Sequence, residues 1–405
     1  MPPHHQRDQE SSCARVSQTV EARREVRRNR PPPWVVRKLM VGVVLGIVGL
    51  SAYVYIGRLV VPALREDEGS AVGRSSAIGL LVGYTIVLAM LLWSYAMIVL
   101  VSPGYAIDHV HKTPAPTAPP QPQPWHTDAH ATTDSTIAPP PSTLQVHGEP
   151  VGANPGKARE ILHPELQRQP PAHPVLRTEY RYCYREGIVK PKRTHHCRAC
   201  GKCVLAYDHH CPWIGQCVGA RNARFFFVFT EWGAVYCLYV FLSLLIATIR
   251  LNNRGRGGGD IDAFYIAIMA LAALFSLFTV GMAATHIRLN MSNLTTLESM
   301  NAHQMWEQES AVLANALPWW DARSRREIRK RWDDEWGNPR TEGNIWWLGS
   351  ASANWHARMG DSVVGWFLPV LGKRSDSHGL DYAVNPRFDE EGRWRRREEW
   401  PEHLR

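Results

Sequence analysis

Apolar residues in this chain are gathered into four long runs, Leu39 to Gly57, Ile78 to Val101, Phe225 to Ile249 and Ala263 to Thr285, and the stretches between them are polar, proline-rich or charged. A helix rises about 1.5 Å per residue and a bilayer's hydrocarbon core is about 30 Å thick, so each run is long enough to cross it. One such run alone could be a buried helix of a water-soluble domain. Four together predict an all-α integral membrane protein with four transmembrane helices. The first run begins at about Val35, behind a Pro- and Arg-rich leader, and reads as a signal anchor, not a cleavable signal peptide.

The polar stretches set the remaining boundaries. Residues 1–34 read as a disordered basic leader, and residues 35–104 hold spans one and two and end in Ser102-Pro103-Gly104. Residues 105–176 form a Pro- and His-rich linker with too few large apolar residues to offset the entropy of ordering, so a flexible tether is expected. Residues 177–224 form a small cysteine-rich module, 225–287 hold spans three and four, and 288–405 form a C-terminal region. That last region has helical amphipathic content around Leu297 to Leu313 and a Trp-rich stretch from Trp319 to Trp366. Its tryptophans fit either a membrane interface or the core of a small subdomain. The mixed-charge end, Asp389 to Arg405, is expected to be solvated and frayed.

Charge orients the spans. Arg23, Arg24, Arg27, Arg28, Arg30, Arg37 and Lys38 lie before or at the start of span one, and Lys190, Lys192, Arg193, Arg198, Lys202, Arg221 and Arg224 lie before span three. Both groups, and the module with them, are predicted to be cytosolic. The short connections also carry arginines, among them Arg58, Arg65, Arg74 and Arg250, which weaken this bias without reversing it. An even number of spans then returns the C-terminal region to the cytosol. The formal charge of +9 suits anionic lipid headgroups or a phosphate-bearing cofactor. Because the basic residues flank the spans, nucleic acid is set aside as a partner.

Six of the eight cysteines fall between Cys183 and Cys217, interleaved with histidine. Such crowding argues for zinc in a reducing compartment, not for a secreted disulfide framework. Cys197, Cys200 and Cys203 make a double C-x-x-C beside His196, with His210 and Cys217 further on, and Cys183 brings the set close to two four-ligand sites. A loop-rich module of this size needs that staple, since metal binding supplies its folding free energy. Cys211 is surplus to the two sites and has Asp208 and His209 as neighbours. A thiol reacts as thiolate; His209 can accept its proton and Asp208 can fix the imidazole tautomer. Spacing alone leaves two readings for Cys211, nucleophile or further ligand. Cys237, deep in span three, reads as a packing residue, and Cys13 in the leader is assigned no role.

Asp208-His209-His210-Cys211, followed by Pro212-Trp213 and set between two pairs of spans, resembles the DHHC-type protein S-acyltransferases, or palmitoyltransferases, which are zinc-containing integral membrane enzymes. Ser102-Pro103-Gly104 is similar to that family's Asp-Pro-Gly motif with Ser for Asp. Thr295-Thr296-Leu297-Glu298 matches its Thr-Thr-x-Glu motif, and Asn354-Trp355 with Gly360 is similar to its C-terminal Asn-containing motif. The resemblance implies that Cys211 attacks the thioester of a fatty acyl-CoA, becomes acylated and passes the chain to a cysteine of a substrate protein. His209 would be general base and then acid, and Asp208 the orienting carboxylate.

The resemblance also implies zinc at Cys197, Cys200, His210 and Cys217, and a second zinc at Cys183, His196 and Cys203. The family opens that second site with C-x-x-C, whereas here Glu186 stands in place of the second cysteine. Glu186 completes the site as a carboxylate ligand, or a water does, or the site is weak. Acyl-CoA is the implied co-substrate, with Trp213 at the top of the acyl cavity and Lys190, Lys192, Arg193 and Arg224 as candidates for its phosphates. The partners implied are palmitoyl-CoA, the lipid bilayer and cytosolic or membrane-associated proteins bearing cysteines. Endomembranes (Golgi, endoplasmic reticulum or vacuole) are the expected location, ahead of the plasma membrane.

Overall fold

In the computed structural model the described residues are 31–67, 70–116, 166–170, 174–254, 262–370 and 379–405. Most of the leader, Cys13 and most of the linker with its histidines lie outside them. The chain divides into two compact units. One is built from described residues up to Ala115, Tyr182–Leu297 and Ser350–Ala383, and the other from those of Pro116–Arg181, Glu298–Gly349 and Val384–Arg405.

The first unit holds four helices, α1 (Trp34–Arg65), α2 (Arg74–Leu100), α3 (Ala223–Arg254) and α4 (Ala263–Met291), each long and apolar enough to cross a membrane. All four extend past the predicted runs at one or both ends. Many of their large apolar side chains face outward, Leu277 at 77% and Leu274 at 62% exposure among them, as suits helices with lipid for a solvent. Several polar groups within the bundle pair with one another, water being absent from a bilayer's core. The Tyr84 and Tyr236 hydroxyls lie 2.9 Å apart, Tyr236 donates to Ser51 Oγ at 3.0 Å, and Tyr55 stacks on Tyr84. Pro62 has no N–H to offer the carbonyl of Arg58, and the Tyr265 hydroxyl donates to that oxygen at 2.8 Å instead. Close approach has its own requirement at Gly83, where a Cβ would lie 2.5 Å from the Tyr239 hydroxyl.

Between α2 and α3 the module folds as three short antiparallel hairpins: β1 (Tyr182–Cys183) with β2 (Ile188–Val189), β3 (His195–Cys197) with β4 (Lys202–Val204), and β5 (His209–Cys211) with β6 (Gln216–Val218). Each turns on a glycine in the left-handed region, Gly187, Gly201 or Gly215, with φ of 65°, 67° and 64°. The third hairpin also caps the end of α2, whose last carbonyls have no partner within the helix. Gln216 Nε2 donates to the carbonyls of Ile98 at 2.6 Å, Val99 at 3.2 Å and Val101 at 3.0 Å. At the end of α4, Asn354 on α7 (Ala351–Met359) donates from Nδ2 to the Met291 carbonyl at 2.8 Å.

In the second unit, residues from α5 (Thr296–Ala316) and α6 (Ala322–Trp336) pack Leu313, Leu317, Ile328 and Trp332 into one apolar cluster. Part of the Trp-rich stretch forms the core of a small subdomain, one of its two readings. Trp332, Trp336 and Trp346 are buried, while Trp319 and Trp320 are 81% and 70% exposed. The frayed end expected for Asp389 to Arg405 is corrected: Trp394 and Trp400 are 5% and 1% exposed, and burying two indoles orders the segment. The linker is corrected as well, since its residues 166–170 pack into this unit through Leu166 and Arg168.

Candidate active site and metal centres

The three hairpins are variations on one unit. Cys183, Cys197 and Cys211 recur at equal spacing, as do Gly187, Gly201 and Gly215, and the second-ligand place is taken by Glu186, Cys200 and Ile214 in turn. Adjacent units combine to form each quartet. Cys197 and Cys200 of the second meet His210 and Cys217 of the third, and Cys183 and Glu186 of the first meet His196 and Cys203 of the second. Within each quartet the ligand atoms lie within 4.8 Å of one another.

These separations suit a tetrahedral ion. Zinc bonds of about 2.0–2.3 Å place neighbouring ligand atoms about 3.3–3.8 Å apart. The sulfurs of Cys197, Cys200 and Cys217 are 3.7, 3.5 and 3.5 Å from His210 Nδ1, and Cys200 and Cys217 are 3.4 Å apart. In the other quartet the Cys183 and Cys203 sulfurs are 3.7 and 3.6 Å from His196 Nδ1, with Glu186 Oε2 3.9 Å from the same nitrogen. Glu186 Oε2 also accepts the Cys203 amide at 2.6 Å, which aims its carboxylate into the quartet.

The pleat of β5 separates the Asp-His-His-Cys residues. Side chains alternate along a strand, so His209 and Cys211 share one face and His210 takes the other, toward the first quartet described. Asp208 precedes the strand and is 2% exposed. Its Oδ2 lies 2.7 Å from His209 Nδ1 and accepts the Thr296 hydroxyl at 2.7 Å, while Oδ1 accepts the Thr296 amide at 2.9 Å. With Nδ1 engaged, Nε2 is the nitrogen left for Cys211. Burial works against charge on both groups, yet hydrogen bonding between them wins. The Asp208 carboxyl is held well below the usual range, and Asp208 together with the neighbouring Cys211 holds the His209 imidazolium up to about 9.

Cys211 lines an apolar cavity that continues among the four spans. Trp213, Tyr95, Phe226 and Phe229 line it with Cys211, and Ser51, Tyr236 and Val240 line it further along. From Phe226 to Val240 along α3 is roughly 21 Å at the helical rise, a length suited to an extended long-chain acyl group. Tyr95 donates to the Trp213 carbonyl at 2.8 Å and fixes the turn that follows Cys211.

The predicted basic residues are not gathered on one surface. Arg193 is 6% exposed and its guanidinium donates to Asn293 Oδ1 at 3.0 Å and the Asn293 carbonyl at 2.8 Å. It ties the module to the segment after α4 and is not placed where a solvated phosphate would meet it. Lys192 pairs with Asp381 at 2.9 Å, Arg224 is half-buried and donates to the Val370 carbonyl, and Lys190 is half-exposed. Sequence reasoning missed His286, a buried α4 residue whose ring lies 6.2 Å from that of His209 and within the same group as Asp208. It also gave Thr296 no role beyond membership of a motif.

Comparison with known proteins agrees with this geometry. Residues 176–303 match the family model described as DHHC palmitoyltransferase. The chain is 32% identical over 166 residues to the Aspergillus fumigatus protein named "Palmitoyltransferase pfa5", covering 40% of this chain and 33% of that one. It is 28% identical over 272 residues to the Arabidopsis thaliana "Probable protein S-acyltransferase 14", covering 64% and 73%, and 27% identical over 215 residues to the human "Palmitoyltransferase ZDHHC20", covering 52% and 50%. Apart from the Arabidopsis protein, the matches span half or less of these relatives' own length. With its two quartets and its Asp-His-His-Cys strand, the stretch 176–303 is similar to the DHHC palmitoyltransferase family, and four membrane-length helices accompany it in this chain.

Proposed function

We propose that this protein is a protein-cysteine S-acyltransferase, carrying palmitoyl or a similar long-chain acyl group from acyl-CoA through a Cys211 thioester to cysteine thiols of substrate proteins. One observation carries the reading. Of the six module cysteines, Cys211 alone stands outside both quartets, and it shares a strand face with His209 and lines the apolar cavity.

In the first half-reaction the Cys211 thiolate attacks the acyl carbonyl and forms the new carbon–sulfur bond. The bond to the CoA sulfur breaks, and that sulfur leaves with the proton held on His209. In the second, a substrate thiol gives its proton to His209 as its sulfur attacks the Cys211 thioester, and Cys211 departs as thiolate. Asp208 holds the imidazole with Nε2 toward sulfur throughout. The acyl tail favours the cavity by about 0.8 kcal/mol per buried methylene, and the polyanionic CoA stays in water, with Lys190 and Arg224 as its candidate contacts. Two zinc ions, one held by Cys197, Cys200, His210 and Cys217 and one by Cys183, Glu186, His196 and Cys203, would supply the module's folding free energy. The charge bias supports cytosolic termini and a cytosolic module on an endomembrane, the side on which acyl-CoA and substrate proteins bearing cysteines are found.

The test is direct. Purified protein given labelled palmitoyl-CoA acquires a hydroxylamine-labile label, Cys211→Ser acquires none, and the label moves to a cysteine peptide. A wild-type protein that retains zinc but takes up no label overturns the reading and leaves a membrane adaptor whose module binds proteins.

A further inference from the structure

Leu166-Gln167-Arg168-Gln169-Pro170 lies in the second unit as a bound peptide lies in its receptor. Arg168 is buried and Leu166 and Pro170 are half-buried, whereas Gln167 and Gln169 are exposed, the alternation of an extended chain. The Leu166 side chain packs on Leu313, Leu317, Ile328 and Trp332. Its carbonyl accepts from Arg331 at 3.0 Å and from the Trp332 indole at 2.9 Å.

Two residues on, Arg168 fills a socket. Its Nε lies 2.7 Å from Glu309 Oε1, Nη2 is 2.7 Å from Asp333 Oδ1, and Nη1 donates to the carbonyls of Gly337 at 2.7 Å and Trp332 at 3.2 Å. The rings of Trp332 and Trp394 lie 5.8 and 5.6 Å from the guanidinium carbon. A planar, five-donor cation fits such a mixture of carboxylates, carbonyls and indoles, and an ammonium does not. Left empty, the socket would hold Glu309, 7% exposed, without the guanidinium that offsets its burial.

We propose that the second unit is a peptide-binding site that reads an extended segment carrying an apolar residue two positions before an arginine, with the chain's own residues 166–170 as its resident ligand. A peptide of the same chemistry exchanges for that segment. Tethering gives the resident segment an effective concentration in the millimolar range, so exchange is strongly opposed until the resident arginine is removed.

The experiment uses the full chain in detergent and a fluorescein-labelled peptide with the sequence of residues 162–174. Arg168→Ala protein binds the peptide, wild type binds it at least tenfold more weakly, and a peptide with lysine in place of its arginine binds the variant at least tenfold more weakly. Should Arg168→Ala loosen the unit, seen as tryptophan fluorescence or protease sensitivity, the arginine peptide restores it and the lysine peptide does not. No binding and no restoration, or equal behaviour of the two peptides, overturns the proposal and leaves Arg168 a packing residue of the unit.

Discussion

Replacing Thr296 by valine is the sharpest test of how the site holds its acid–base pair. The change keeps volume and β-branching and removes one hydroxyl, the one that donates to Asp208 Oδ2 at 2.7 Å. Asp208 is 2% exposed, so water does not take the vacated place, and the carboxylate keeps the Thr296 amide and the His209 ring as partners. A hydrogen bond to a charged group contributes about 1.5–3 kcal/mol. If that loss is felt in full when His209 handles the Cys211 proton, single-turnover acylation falls roughly ten- to a hundredfold, at about 1.4 kcal/mol per decade. Thr296 does not line the acyl cavity, so the concentration dependence on palmitoyl-CoA should stay put while the plateau rate drops. Rapid-quench labelling of Cys211 measures both quantities. Thr296→Ser returns the hydroxyl and should return most of the rate. Wild-type labelling by Thr296→Val would refute the reasoning, and so would a loss that serine fails to repair, since the fault would then lie in the backbone at the start of α5.

Three more outcomes follow from the same geometry. Glu186→Ala should lower the bound zinc below the wild-type content, measured by atomic absorption, and unchanged zinc would remove Glu186 from the ligand set. Tyr236→Ala should enlarge the deep part of the cavity beside Ser51 and shift the acyl-CoA preference toward longer chains, each added methylene being favoured by about 0.8 kcal/mol; an unchanged profile in a chain-length competition would place the deep part of the acyl site elsewhere. His209 keeps its proton up to about pH 9 when folded, against about 6.5 when unfolded. The stability that this proton confers is therefore complete below about pH 6.5 and is lost as pH rises through about 9. Thermal unfolding of Asp208→Asn across that window should show a shallower loss than wild type, and equal slopes would count against the pairing.

What was legible in the sequence follows from how local each constraint is. A bilayer asks only for length and apolarity, so Leu39 to Gly57 and the three later runs coincide with the four helices, apart from Val101 just past the end of α2. A metal asks for donors at short spacing, so the two quartets were visible apart from the part taken by Glu186. Sockets built from distant residues leave no such local mark. Arg168 in a Pro-rich linker reads as a solvated charge until Glu309, Asp333, Trp332 and Trp394 surround it. Arg193 reads as a surface cation until Asn293, a hundred positions away, takes its guanidinium. His286 follows directly on the run Ala263 to Thr285, where one imidazole reads as the polar end of a span until the helix carries it back beside His209.

Repetition within the module accounts for the freedom of Cys211. Each quartet takes its first two ligands from one hairpin and its histidine and last cysteine from the next. Cys211 stands in the third hairpin where Cys183 and Cys197 stand in the first two, so by position it would open a further quartet. That quartet does not form, because Ile214 occupies the second-ligand place and the chain enters α3 instead of a fourth hairpin. Cys211 therefore inherits the rigid turn of a metal-binding hairpin, closed by Gly215, without an ion to quench its sulfur. An ion held at His210 would fix the strand, and the pleat turns His209 and Cys211 together toward the cavity. Under the proposed function, a reactive thiol aimed by such a scaffold but not bound by it would be acylated and released in each cycle without the module having to give up zinc.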